Sequence, residues 1–272
     1  MNEHQLPASL RQLFADGGRG RELTVRLPEG DLVWPDPGYT QRPAAKRPAF
    51  WLTDEPVSGD DWAVLRAEHP RSGLWPVLLD ESAQPWSAGQ VMPDEVTLID
   101  GFSAAGFMSE VWAEWVQQMP ADSLEEIEPF GAFCPGLAEP GELRASPGEV
   151  ADWCARQLAS RGTPMGLAAA HRGADALAVM GWQGALHHNE WMVPLAAVVR
   201  SWEERFGARV VGMGFNTLDL SVAGPPVTRD HAIHVAAEHW AFCPDNIVQG
   251  PGDLYGYADQ IRGLHHWSFW WD

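Results

Sequence analysis

The chain has 272 residues, of which 45% are hydrophobic, so it can bury a substantial core as one large domain or two smaller ones. Its formal net charge is −19, from 37 acidic and 18 basic residues. A negative field of this size repels nucleic acid and anionic membrane surfaces, so we expect neither as a partner. The same field attracts basic proteins and cationic ligands.

The acidic residues are concentrated in the middle of the chain. Between Asp94 and Asp152 there are 13 Asp or Glu residues and one Arg, which gives a local charge of −12. This segment favours a protein or peptide partner, and a basic one in particular. The alternative is an acidic surface that only keeps the protein in solution.

Cysteine usage and the N-terminus predict a cytoplasmic protein. Three Cys are too few, and an odd number, for a disulfide framework. No apolar run approaches the roughly 20 residues that a membrane helix needs. The first residues, MNEHQLPASLRQLF, lack the basic start and apolar stretch of a signal peptide.

Hydrophobic patterns in the first 80 residues predict short helices and strands around a proline-rich loop. In chain order they are a helix over 6–15, an edge strand over 22–27, a loop over 35–48, a strand over 48–53, a helix over 59–68 and a strand over 73–80.

Two further helices are predicted in the middle of the chain. Apolar residues at helical spacing indicate a helix over 107–119, followed by a loop over 120–148 rich in Pro, Gly and Glu. Ser146 can cap the next helix, with Pro147 in its first turn and Glu149 completing a capping box.

The last hundred residues alternate between strands and helices. The patterns predict strands over 165–170 and 176–181, a helix over 194–206, a hairpin over 209–222, helices over 228–240 and 253–262, and a closing strand over 266–272. In the closing strand Trp267, Phe269 and Trp271 share one face, which predicts that the strand is buried. The mixed order with a hairpin predicts an α+β fold with a mainly antiparallel sheet flanked by helices.

Long ordered motifs in the C-terminal part resemble the family called domain of unknown function 4253. They read RGADALAVMGWQG, RSWEERFGARVVGMGFNTLDLSVAGPP, AAEHWAFCPDN and the closing WSFWWD. The resemblance covers about residues 165–272, and more loosely GLWPVLLD and CPGLAEP. It implies a bacterial origin, of the actinobacterial type, and brings no established activity.

The resemblance also implies a boundary near residue 160. We therefore expect a variable α+β region over 1–160 and a C-terminal domain over 161–272. The alternative is that residues 1–160 form half of one continuous sheet.

A metal site is one hypothesis for the helix that follows Thr228. His231, His234 and Glu238 are spaced i, i+3 and i+7, so they lie on the side opposite the apolar stripe. Such residues can hold a divalent metal ion, with a further ligand such as His188, Asp245 or His266. The simpler interpretation is a solvated polar face. His239 lies apart from this trio, flanks the buried side and is expected to bond to the backbone or a ligand.

Cys243 and the turn after it are better explained by structure than by catalysis. A Cys just past a helix C-terminus meets the negative end of the helix dipole, which disfavours a thiolate nucleophile with His239 or His265 as its base. Asp245 and Asn246 can hydrogen-bond the turn, and both are also candidate binding residues.

The remaining candidate binding residues lie in a loop and at the closing strand. His187, His188 and Asn189 fall in a connection between two elements, where binding residues are common. Trp270 and Asp272 lie on the outward face of the closing strand.

Two functional hypotheses follow from these observations. The leading one is a cytoplasmic acidic binding domain for a protein or cationic partner, for example an immunity or accessory protein, with no evident cofactor. The alternative is a metal-dependent hydrolase that uses the face formed by His231, His234 and Glu238 with a divalent metal. The residues leave open whether the protein is an enzyme.

Overall fold

The computed structural model describes residues 5–39, 41–80, 91–186 and 188–272, without the side chains of Tyr39, Ala121 and Asp122. The helices are α1 (Ala8–Arg11), α2 (Gly59–Ser72), α3 (Ala104–Gln118), α4 (Pro147–Ala159), α5 (Ala176–Val179), α6 (Val193–Phe206), α7 (Arg229–Phe242), α8 (Asp245–Val248) and α9 (Leu254–Ile261). The strands are β1 (Gly30–Val33), β2 (Phe50–Thr53), β3 (Leu74–Leu79), β4 (Met165–Ala169), β5 (Arg209–Met213), β6 (Thr217–Ser221) and β7 (His266–Trp270).

The described strands form one seven-stranded open sheet in the order β1-β2-β4-β3-β5-β6-β7. Neighbouring strands are antiparallel, except for the parallel pair β3 and β5. The predicted α+β fold with a mainly antiparallel sheet is therefore confirmed.

Strands from both sides of residue 160 belong to this sheet, because β4 lies between β2 and β3. The division into residues 1–160 and 161–272 stays a prediction about folding units. Limited proteolysis in the connection before α4 would test it.

The closing strand is locked into the core, as its alternating pattern predicts. The side chains of Trp267, Phe269 and Trp271 are buried, whereas Ser268 and Trp270 are exposed. The ring of Phe269 stacks on Trp202 of α6, with 5.4 Å between the ring centroids. The strand therefore fixes the position of the helices that cover this end of the sheet.

Two of the capping residues that the sequence indicates set helix boundaries, and a third does not. Gly207 ends α6 in the left-handed conformation at φ 59°, and the Thr228 hydroxyl accepts the His231 N–H at the start of α7. At α4 the helix begins at Pro147, but Ser146 makes no side-chain cap, so the predicted capping box is wrong. The fixed φ of proline is the remaining local signal for that start.

Three element predictions in the sequence are corrected by tertiary contacts. Residues 176–181, predicted as a strand, contain the helix α5, because a short apolar run rich in Ala fits either structure. Residues 22–27 contain no strand, and the Thr24 N–H bonds to the Glu68 carboxylate of α2 instead. Over 6–15 the regular helix is limited to α1.

Within the described residues, each helix is too short or too polar to cross a lipid bilayer.

Candidate functional site

Several predicted binding residues meet around Asp245, at the start of α8. The Asp245 carboxylate accepts the Nε2–H of His188 at 2.8 Å, since a carboxylate can only accept. It also accepts the backbone N–H of Asp272 at 3.0 Å and the side-chain amide of Gln249 at 3.1 Å. We call these four residues the Asp245 cluster. The sequence indicated three of them, and Gln249 was missed because it carries no motif.

Asn246, the next residue, has a structural role at the free edge of the sheet. Its side-chain oxygen accepts the Trp270 N–H at 2.9 Å, and its amide nitrogen donates to the Ser268 carbonyl at 2.7 Å. The same nitrogen donates to the Tyr257 hydroxyl at 3.2 Å. The carboxamide thus pairs with the edge of β7 as a neighbouring peptide group would. Trp270 itself keeps an exposed ring on this edge.

Cys243 is a buried hydrogen-bonded thiol. Its Sγ donates to the Trp270 carbonyl at 3.0 Å. Burial is the main cause that raises the pKa of the Cys243 thiol to about 12. The thiol therefore stays protonated near neutral pH, as its position at a helix C-terminus leads one to expect.

A surface groove of about 390 Å³ opens beside the Asp245 cluster. The side chains that give it its chemistry are Trp115, Gln118, Glu126, His188, Trp240 and Asp245. The ring of His188 lies 5.4 Å from the ring of Trp115, measured between centroids. Indole rings and two carboxylates in one groove are suited to a positively charged side chain.

Five Glu residues lie on the two chain segments that contribute Trp115, Gln118 and Glu126 to this groove, and we call them the acidic surface. It consists of Glu110 and Glu114 on α3, Glu125 and Glu126 in the 3₁₀ segment Ala121–Ile127, and Glu128. Glu110 and Glu114 lie one turn apart, and the next residue in that row, Gln118, lines the groove.

The carboxylates of the acidic surface have no counter-charge from the described part of the chain. In the ranges that the structure describes, none of these five Glu forms an ion pair. Other acidic residues of the segment 94–152 form ion pairs: Asp94 pairs with Arg42, and Asp152 pairs with Arg66. The unneutralised charge of the segment is thus concentrated next to the groove.

Glu238 lies in the core and not on a polar face, which corrects the sequence prediction. Its carboxylate accepts two hydrogen bonds from Arg205, at 2.6 and 2.7 Å. It also accepts the Trp202 indole N–H at 2.7 Å and the Ala138 backbone N–H at 2.6 Å. The carboxylate lies in the core because α7 is covered on nearly every side and has almost no solvated face. The four hydrogen bonds hold it there.

His231 and His234 are half-buried and bond to backbone carbonyls. The His231 Nε2 donates to the Glu139 carbonyl at 2.7 Å, and the His234 Nδ1 to the Asp230 carbonyl at 2.9 Å. Neither meets Glu238 at a common point. Among the described residues, no three His, Cys, Asp or Glu side chains converge as metal ligands. The metal hypothesis for this helix face thus lacks the shared ligand set on which it depended.

His239 is enclosed by aromatic rings. Its Nδ1 lies 3.2 Å from the Tyr257 hydroxyl, and the rings of Trp202, Trp267 and Phe269 surround it. Burial, followed by the charge of Arg205, lowers the pKa of His239 to about 3. A neutral imidazole without access to solvent has no route to a ligand, so its role is in packing.

The loop before α6 contributes one residue to the cluster. His188 reaches Asp245, whereas the backbone N–H of Asn189 bonds to the Ala185 carbonyl at 2.9 Å. His187, a further candidate, lies outside the described residues.

Residues 164–272 match the family described as "Domain of unknown function (DUF4253)". The resemblance expected from the C-terminal motifs is confirmed over this range, which contains β4 to β7, the buried Glu238 and the Asp245 cluster. Searches of curated proteins and of solved structures found no match to the chain.

Proposed function

We propose that this protein is a cytoplasmic binding protein for a basic protein or peptide. The partner docks on the acidic surface and places a Lys or Arg side chain in the adjoining groove. An immunity or accessory protein for a basic toxin is one protein of this kind. The observation that carries the proposal is the group of unpaired Glu side chains beside an aromatic groove.

Charge supports the first step, which is encounter with the partner. Exposed charges interact over a Debye length of about 8 Å at physiological ionic strength, so five neighbouring Glu act together on an approaching cation. Such a field mainly raises the association rate and is weakened by salt.

The groove supports the second step, which is recognition. A guanidinium or ammonium group can lie against the Trp115 ring while it bonds to the Glu126 or Asp245 carboxylate. The hydrogen bonds from His188 and Gln249 hold Asp245 in place before a partner arrives, which lowers the ordering cost of binding. The exposed ring of Phe133, 82% accessible and five residues after Glu128, is an apolar contact for the same partner.

A charge-matched pair of variants tests the proposal. The first changes Glu110, Glu114, Glu125, Glu126 and Glu128 to Gln. The control changes to their amides five other exposed acids that form no ion pair with any described residue: Glu22, Glu29, Asp31, Asp54 and Glu55. Both variants lose five negative charges, so the net charge of each rises from −19 to −14.

Binding of a fluorescent oligo-arginine peptide is measured by anisotropy in low and high salt. We expect the first variant to bind at least about tenfold more weakly than the wild type, and the control to change by less than about threefold. Equal losses in the two variants would show that only the net charge matters, and the proposed surface would be wrong. Absence of binding by the wild type in low salt would also overturn the proposal.

A further inference from the structure

The outer edge of β7 exposes backbone groups in a regular pattern. β7 is the last described strand of the sheet, and β6 lies on one side of it only. In an antiparallel pair the backbone groups of alternate residues point toward the partner strand, and those of the residues between them point away. The Trp271 N–H bonds to the carbonyl of Asn216, just before β6. The backbone groups of His266, Ser268 and Trp270 therefore point outward.

Side chains cover the second half of this edge and leave the first half open. The Asn246 carboxamide bonds to the Trp270 N–H and the Ser268 carbonyl, and the Cys243 thiol bonds to the Trp270 carbonyl. Among the described residues, no hydrogen-bond partner meets the His266 N–H, the His266 carbonyl or the Ser268 N–H. Three outward groups of the strand are therefore available to a new partner.

A groove of about 410 Å³ lies beside these three groups, and we call it the edge groove. Its lining includes His266 and Ser268 of β7, together with Tyr257 and Ile261 of α9. Leu264, which is 48% exposed, adds a further apolar side chain. Free backbone groups beside an apolar groove suit an extended peptide that carries an apolar side chain.

The pattern of free groups selects the direction of such a peptide. A residue of a parallel strand bonds to the carbonyl of one residue and to the N–H of the residue two positions later. The Asn246 carboxamide already bonds in this way, and the His266 carbonyl with the Ser268 N–H is the same pair one step earlier. An antiparallel peptide bonds to both groups of one residue. Beyond His266 it would need the Ser268 carbonyl, which Asn246 occupies.

Parallel pairing also determines where the side chains of the peptide point. Its residue between the His266 carbonyl and the Ser268 N–H is aligned with Trp267, so both side chains point to the same face of the sheet. The helix α9 lies on that face, because the rings of Trp267 and Tyr257 both contact the ring of His239. This peptide residue therefore places its side chain in the edge groove.

The following peptide residue points to the opposite face, where a positive charge is favoured. The Trp270 ring is 39% exposed, and the Asp272 carboxylate is exposed two residues further on. A guanidinium or ammonium group can lie on an indole ring and near a carboxylate. Asp245 lines both the edge groove and the groove beside the acidic surface, so the two grooves are continuous at this residue.

We propose that a basic partner adds an extended segment to the sheet, parallel to β7. The segment places an apolar side chain in the edge groove, and the next residue is Lys or Arg. The inference rests on the proposed function for the basic character of the partner. It adds that the recognition uses backbone hydrogen bonds, and it fixes their direction.

A set of peptides tests the backbone pairing by NMR on the ¹⁵N-labelled full chain. The parent peptide is acetyl-Val-Thr-Leu-Arg-Gly-amide, with Leu for the edge groove. We expect saturable shifts at the amides of His266 and Ser268. In the parallel arrangement the Leu N–H faces β7 and the Arg N–H faces away. N-methylation of Leu should therefore weaken binding at least about tenfold, and N-methylation of Arg by less than about threefold. Replacing Leu with Ala should weaken binding at least about fivefold.

Variants of the protein locate the site. Ser268→Pro removes the outward N–H and keeps the backbone groups that bond to β6, so binding of the parent peptide should fall at least about tenfold. Leu264→Ser should weaken binding at least about threefold. The matched control is Val64→Ser on α2, whose side chain is 46% exposed and does not line the edge groove. It should leave binding unchanged. If Ser268→Pro prevents folding, Leu264→Ser and the N-methylated peptides decide the outcome.

The inference is overturned if the parent peptide causes no shifts at Ser268, or if both N-methylated peptides bind alike. Loss of binding on N-methylation of Arg alone would indicate antiparallel pairing and would also overturn it. If oligo-arginine binding depends on the five Glu residues but the N-methylated peptides bind alike, only the strand pairing is wrong. If oligo-arginine does not bind and the N-methylated peptides differ as expected, the pairing stands and the docking surface is wrong.

Discussion

Replacing Glu238 with Ala should strongly destabilise the protein. The Glu238 side chain is 1% exposed and that of Arg205 is 13% exposed, so the substitution leaves a guanidinium in the core without its counter-charge. It also removes the acceptor for the Trp202 indole N–H and the Ala138 N–H. The Ala138 bond connects α7 to the chain segment before α4, so its loss also loosens that segment.

The expected loss in the free energy of unfolding follows from the kind of interaction that the substitution breaks. Breaking a buried ion pair by removing one partner costs about 3–5 kcal/mol, because the remaining charge stays desolvated. Glu238→Gln should cost less, since the amide oxygen still accepts hydrogen bonds. Replacing both residues, as in Arg205→Met with Glu238→Leu, should recover a large part of the loss.

Urea unfolding followed by circular dichroism measures these changes in the free energy of unfolding. The control is Glu142→Ala, which removes the partner of Arg144 in a surface ion pair whose side chains are 73% and 65% exposed. We expect a change of at most about 1 kcal/mol there. If Glu238→Ala also cost less than about 1 kcal/mol, Glu238 would be solvated, and the reasoning from a buried pair would be refuted.

Three further predictions concern the core. Phe269→Ala should lower the free energy of unfolding by about 3–5 kcal/mol in the same assay, and an unchanged urea midpoint would show that the closing strand is not structural. Because burial lowers the pKa of His239 from 6.5 to about 3, the unfolded chain binds a proton there that the folded chain does not. Stability should then fall by about 1.4 kcal/mol per unit as the pH drops below about 6.5, and His239→Gln should reduce this slope; an identical slope would contradict the assignment. Iodoacetamide at mildly alkaline pH should label the half-buried Cys134 at least about tenfold faster than Cys154 and Cys243, whose thiol pKa values are raised to about 12, and equal rates by mass spectrometry would refute their burial.

Sequence patterns were sufficient to predict structure where the outcome depends on residues within one helix or strand. Strict alternation identified Trp267 and Phe269 as the inward face of β7 and Trp271, just after the strand, as buried, because successive side chains of an extended chain point to opposite sides. The end of α6 and the start of α7 could be predicted for the same reason, since Gly207 and Thr228 act on backbone groups within a few residues. The C-terminal motifs likewise identified the family without any structural information.

The prediction from helical spacing was wrong for Glu238, because it assumes that only one side of a helix is buried. The neighbours of Glu238 along α7 are nearly all apolar, with Ala236 and Ala237 before it and Trp240 and Ala241 after it. That composition is typical of a helix covered all round, and a carboxylate in it requires a partner. The sequence contained this signal, but the identity of the partner, Arg205 on α6, depends on how the two helices pack.

The strand positions in the sheet depended on tertiary structure in the same way. β2 pairs with β4, and β3 pairs in parallel with β5, so each of these two pairings skips a strand along the chain. This order leaves β7 at the edge of the sheet, and the packing of α8 against the end of β7 creates the Asp245 cluster.

The sequence by itself determined the acidic charge, the α+β class, the family of the C-terminal part and the inward face of the last strand. These properties are set by composition or by residues within one element. Only the tertiary structure decided which carboxylates are neutralised in the core and which, among the described residues, lack an ion pair beside the groove. The physical reason is that the effect of a charge depends on its solvent exposure and its partner, and both are fixed by contacts between residues far apart in the chain.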